Sequence, residues 1–330
     1  MPHVGCPCHC SFCNQREITG QTNLISGEDV HHAVLQAQGR IVQEPESVEI
    51  AFFGGSFTAI RREYMLSLLE AAYEDVTRFR LKGIRVSTRP DAINGEILSL
   101  LKKHGVTAIE LGAQSLSNEV LVANRRGHTA KQVEEAAVMI QEFGFELGLQ
   151  MMTGLYQDTP EKALETAQKI IQLKPDTVRI YPTLLFKDTY LYELWQKNEY
   201  TPQGLEEAVK LCAKLIPTFE QAEIKVIRVG LHAEGEMQKK CVAGPFHPAF
   251  KELCLSQIFY ERLIADLQEN LVKTGEIQYT IKVNPKYLSV AAGQKKSNEI
   301  DLKKEGFTVQ FVQDSAVAVG EYLLETQHSE

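Results

Sequence analysis

Short β-branched runs alternate with stretches of helical period along most of this 330-residue chain, and that alternation constrains its fold more than any other feature. The runs fall at 48–53, 84–88, 106–111, 145–151 and 177–181, with a further apolar run at 224–229. Between them, residues 61–79, 94–104, 130–143, 160–173 and 204–219 carry apolar side chains at spacings of three and four. Parallel strands need a helical crossover between them, so a repeated strand–helix texture predicts βα units. The expected fold class is therefore α/β, with βα units around a parallel sheet. Ser26, with Asp29 three residues on, reads as a capping box opening a helix through about residue 41.

The texture changes near 241–248, where Gly244, Pro245 and Pro248 cluster. This predicts two domains, residues 1–240 and 241–330. The second reads as a small α+β unit, with helices near 249–272 and 286–304 and strands near 278–283 and 307–312. Nowhere does the chain reach the roughly 18 uncharged apolar residues of a membrane span. Its first residues also lack the form of a signal peptide, and a cytoplasmic protein is expected. With 35 basic against 43 acidic side chains the formal charge is −8, so any polyanion must be met by a local patch.

Four of the seven cysteines, Cys6, Cys8, Cys10 and Cys13, lie within eight residues, too close together for a disulfide framework. Cys6, Cys10 and Cys13 have the spacing C-x3-C-x2-C. Three thiolates on one tight loop can hold three irons of a four-iron cluster and leave the fourth open to a small chelating molecule. A structural zinc site is the competing reading, but it needs four closed ligands, and no second C-x2-C pair follows. Cys212, Cys241 and Cys254 stand apart and read as core or surface thiols.

Polar and glycine residues gather where the strands are expected to end. Gly54, Gly55 and Ser56 follow the first run, where glycines let backbone approach a ligand closely. Ser87 and Arg89 close the second run, suited to hydroxyls and a carboxylate respectively. Glu110 and Gln114 close the third, and polar groups at the end of a buried apolar strand are costly unless they hold something. Arg125, Arg126 and His128 suit a phosphate or a helix end equally well, Tyr181 suits the rim, and Lys225 and Arg228 read as a solvated strand face.

In order, Gly5-Cys6-Pro7-x-x-Cys10-x-Phe12-Cys13-Asn14-Gln15, Phe53-Gly54-Gly55-Ser56-Phe57-Thr58, Ser87-Thr88-Arg89-Pro90-Asp91, Glu110-Leu111-Gly112-Ala113-Gln114-Ser115, Arg126-Gly127-His128-Thr129 and Gly154-Leu155 resemble the motifs of radical S-adenosylmethionine (SAM) enzymes. Within them the resemblance is to the branch of the Elongator catalytic subunit, over residues 4–230. It implies an α/β fold with a partial parallel barrel of the (β/α)6 type, and a 4Fe-4S cluster on Cys6, Cys10 and Cys13. SAM is then expected among Gly54, Gly55, Ser56, Ser87, Arg89, Glu110 and Gln114, and an electron donor of flavodoxin or ferredoxin type completes the system. Reductive cleavage of SAM to a 5′-deoxyadenosyl radical, for hydrogen abstraction from substrate, is the implied chemistry. The sequence departs from the family at Cys8, usually not a cysteine, and in having only five residues ahead of Cys6, so the first barrel strand is expected upstream of Met1. No acetyltransferase-sized segment follows the barrel, so that activity is not carried over.

Residues 284–311 faintly resemble a K-homology RNA-binding unit, with Gly293 opening a G-x-x-G loop whose second glycine is Lys296. Between Val272 and Glu305 seven lysines face four acidic residues, a local basic patch. The substrate expected first is tRNA or another RNA. A porphyrin-like small molecule, or a noncatalytic RNA-binding metalloprotein, are the alternatives.

Overall fold

The computed structural model describes Cys6 and residues 9–13, 24–231 and 240–326. The readings placed on Gly5, Cys8, Asn14 and Gln15 lie outside the described residues, as does any strand ahead of the cysteine segment. The chain divides into two compact units, Met1–Ala208 with Leu215–Phe246, and Val209–Lys214 with His247–Glu330.

The first unit is built on an open six-stranded parallel sheet of half-barrel form. Its strands are β1 (Glu49–Phe52), β2 (Gly83–Thr88), β3 (Val106–Gln114), β4 (Glu146–Thr153), β5 (Thr177–Pro182) and β7 (Lys225–Val229), in that spatial order. Two short strands, β6 (Leu185–Phe186) and β8 (Cys241–Ala243), pair antiparallel beside them. Ile84, Val86, Ala108, Ile109, Leu111, Leu147, Leu149, Val178 and Ile180 are wholly buried, as expected of strands covered on both faces. The intervening helices form because each has an apolar stripe and a defined start. Asn94, Thr129 and Thr159 each accept the backbone N–H three residues on, at about 1 kcal/mol per cap.

Ser26 and Asp29 form the capping box, but the helix ends at Gln36 and a second one spans Gln38–Gln43 around Gly39, a poor helix former. Short helices at Asn118–Ala123 and Tyr190–Gln196 carry too few turns to show a period in the sequence.

In the second unit the helix Phe250–Thr274 packs Phe259, Leu263 and Leu267 against Tyr279, Ile281 and Val283 of β9 (Gln278–Val283). Strand β10 (Thr308–Gln313) pairs parallel to β9, and β11 (Tyr322–Thr326), absent from the sequence reading, pairs antiparallel on the other side. The helix expected at 286–304 is broken into Leu288–Ala292 and Ser297–Lys304. Gly293 (φ +77°) turns the chain where a Cβ would lie 2.2 Å from Ser297 Oγ. Lys295 and Lys296 follow in left-handed conformation. Lys273, Lys282, Lys296 and Lys304 each pair with a carboxylate, so much of the basic patch is neutralised locally.

Candidate active site at the strand ends

The C-terminal ends of the six parallel strands surround a cavity of about 410 Å³. Cys6, Cys10 and Cys13 line it, together with Gly54, Gly55, Ser87, Arg89 and Gln114. The first barrel turn can pass this close because Gly54 and Gly55 both take positive φ, 89° and 88°, a region that side chains disfavour. Gln114 also has positive φ, at a point where the β3–β4 register shifts between Leu111 and Gln114. The irregularity turns its amide to the rim, where Gln150 Nε2 donates to its Oε1 at 3.1 Å.

Ser56 and Glu110 do not line the cavity. Ser56 Oγ lies 2.9 Å from Thr88 Oγ1 and accepts the Arg89 N–H at 3.2 Å, tying the turn after β1 to the end of β2. Glu110 lies one layer deeper, accepting from Arg85 Nη1 at 3.0 Å and from Arg179 Nε at 3.1 Å. Arg89 is held by Asp91 through two hydrogen bonds, at 2.9 and 3.0 Å. Its Nη2 also donates to the Arg126 carbonyl at 2.5 Å.

Arg126, Arg179 and Arg228 join the wall along with Tyr181 and Met152. Arg228, expected on a solvated face, points its strand inward, and its Nε is buried without a hydrogen-bond partner among the described residues. The usable signal was the alternation of Glu110, Gly112 and Gln114, of Gln150 and Met152, and of Arg179 and Tyr181, each set on one strand face. The cavity is thus lined by four guanidinium groups and no carboxylate among its described residues, which suits an anionic or zwitterionic ligand.

The cysteine loop is held from behind by Asn124. This wholly buried side chain accepts from Ser11 Oγ at 2.6 Å and donates to the carbonyls of Val120 and Tyr156 at 2.8 and 2.9 Å. The Ser11 N–H meets the Asn124 carbonyl at 3.0 Å, and the Ser11 carbonyl accepts from Leu191 N–H at 2.8 Å. Asn124→Ala strands the buried Ser11 hydroxyl and the Tyr156 carbonyl, and is expected to lower unfolding free energy by about 2–4 kcal/mol. Urea denaturation measures it.

His128 is neutral at pH 7, its pKa pushed down to about 4 by burial and then by Arg126 and Arg89. In the segment after β4, burial pushes the Asp158 carboxyl up to about 6, the N–H groups of Gly154 and Thr159 offsetting part of the effect. A folded-state value above the ordinary 3.8 means the proton binds more tightly in the fold. The stability it contributes is full below pH 4 and lost as pH rises through 6. Asp158→Asn is therefore expected to gain about 3 kcal/mol at pH 7 and little at pH 4, by urea midpoints at both.

The profile of the radical SAM superfamily matches residues 1–170, and that of the radical SAM C-terminal domain matches 175–279. The chain belongs to the radical SAM superfamily and is an enzyme of that class. It is similar to the tRNA uridine(34) acetyltransferase of Methanocaldococcus jannaschii, 30% identical over 203 residues covering 54% of this chain and 38% of that protein. It is also similar to human Elongator complex protein 3, 29% identical over 208 residues covering 55% of this chain and 38% of that protein. The matched segment spans well under half of either relative. Among solved structures, the Elp3 of Methanocaldococcus infernus lacking residues 1–46 superposes with TM-score 0.61 at 21% identity, over 80% of this chain and 68% of that one, a likeness of fold. Among the described residues no helix is long and apolar enough to cross a membrane.

Proposed function

We propose that this chain binds a 4Fe-4S cluster through Cys6, Cys10 and Cys13 and reductively cleaves SAM held beside it. The observation that carries the reading is one cavity on which those three thiols open together with Gly54, Gly55, Ser87, Arg89 and Gln114. Among the described residues no three potential ligands are gathered as for a bound metal ion, and thiol sites of this kind commonly order around their metal. The donor set fits: soft thiolates, with a guanidinium donating to Cys10 Sγ at 3.1 Å. When bound, the cluster would supply the one electron needed for reductive cleavage of SAM to methionine and a 5′-deoxyadenosyl radical, the species that would abstract hydrogen from substrate.

The chain's own part is to bind, orient and exclude water. Gly54 and Gly55 offer close backbone, Arg228 offers an unpartnered Nε for a carboxylate, and Leu184, Phe186 and Leu231 add apolar surface to the lining. Ser56 and Glu110 support this wall from behind. The proposed substrate class is RNA, tRNA first, because the relatives named for an activity modify tRNA uridine. A flavodoxin- or ferredoxin-type donor in the cytoplasm, which keeps thiols reduced, supplies the electron.

Anaerobic reconstitution tests the metal site: about four iron and four sulfide per chain, with a spectrum perturbed by SAM, are expected. Binding of zinc alone, or no iron, overturns the reading.

A further inference from the structure

We infer that Arg126 sets the reduction potential of the cluster, acting on it through the Cys10 sulfur; the inference rests on the cluster reading above. Arg126 is 6% exposed, and its Nη1 donates to Cys10 Sγ at 3.1 Å while Nη2 donates to the Gly112 carbonyl at 2.6 Å. Its guanidinium carbon lies 5.8 Å from the Phe12 ring centre, and its Nε is buried without a partner among the described residues. None of the described carboxylates pairs with it: Asp91 is taken by Arg89, and Glu110 by Arg85 and Arg179. A buried cation without a carboxylate is expensive, and the negative group it meets is the sulfur of a cluster ligand.

The consequence is electrostatic. Adding one electron to a thiolate-ligated cluster places more negative charge on its sulfurs, and a charged N–H donor to sulfur stabilises the reduced form more than the oxidised one. Arg126 thus makes the electron easier to load, with no proton or bond exchanged. Its partners make it a positioning and tuning residue: Gly112 and the Arg89 contact to its carbonyl hold the fork in place.

The test is a redox titration of reconstituted wild type, Arg126→Met and Arg126→Lys, followed by the paramagnetic signal of the reduced cluster, with iron counted in each. At a fixed solution potential Arg126→Met is expected to lower the ratio of reduced to oxidised cluster about tenfold, equivalent to about 59 mV for one electron. Arg126→Lys, which keeps the charge but not the fork, is expected to shift it less and in the same direction. Either variant with full iron and the wild-type potential overturns the inference, as does loss of iron from both, which would make Arg126 a scaffold for the loop. A wild-type chain that takes up no iron defeats the cluster reading itself, a distinct result.

Discussion

Replacing Glu110 with Leu is expected to lower the unfolding free energy by about 3–5 kcal/mol, because it leaves the buried Arg179 cation without a carboxylate. Glu110 is 1% exposed and lies between two strands' arginines, receiving Arg85 Nη1 at 3.0 Å and Arg179 Nε at 3.1 Å. Arg85 keeps Glu49 and Glu146 when Glu110 is lost, whereas Arg179 keeps no carboxylate among those described. Burial works against the Arg179 charge, and Glu110 together with Tyr181 more than offsets it, holding its pKa above the ordinary value. A second substitution separates lost attraction from stranded charge. Glu110→Leu with Arg179→Met should recover most of the loss, since apolar replacement of a whole buried pair is often neutral. Urea denaturation of the two variants measures both, and equal instability of single and double variants would contradict the pairing.

The second large effect is on chemistry. With Cys6, Cys10 and Cys13 all changed to Ala, iron after reconstitution should fall from about four per chain to below one, and 5′-deoxyadenosine formation to background. The fold should survive, because Ser11 keeps its hydrogen bonds to Asn124 and Leu191. Circular dichroism checks that, and wild-type iron content in the variant would contradict the ligand assignment.

Both predictions rest on features that differ in how far the sequence discloses them. The parallel sheet is legible because its strands are nearly continuous apolar runs and its helices carry stripes and caps. Depth within the sheet is not. Glu110 and Gln114 share one face of β3, yet Gln114 reaches the cavity and Glu110 lies below it. The difference depends on what stands level on β4, where Gly148 pairs in register with Glu110 and leaves it room. A Cβ at Gly148 would lie 2.6 Å from that carboxylate. Arg228 reads as solvated in the sequence for the same reason, since a charge in a strand looks exposed until the cavity beside it is known.

The cysteine motif disclosed its chemistry but not its support. Asn124, 111 or more residues from the loop it holds, carries no local pattern, and only the fold brings it to Ser11, at a separation of 113 residues. In the second unit the break at Gly293 hides inside a run of helix-forming neighbours, and the lysines that suggest a polyanion site turn out to be largely paired with nearby carboxylates.

The central claim is that one cavity joins a cysteine-held cluster to bound SAM. Its most direct test is to reconstitute the wild-type chain without oxygen, add a strong one-electron reductant and SAM, and quantify 5′-deoxyadenosine and methionine. Equal amounts of the two, formed over time and absent without reductant, are the predicted result. A chain that carries its full iron and binds SAM yet releases neither product contradicts the claim.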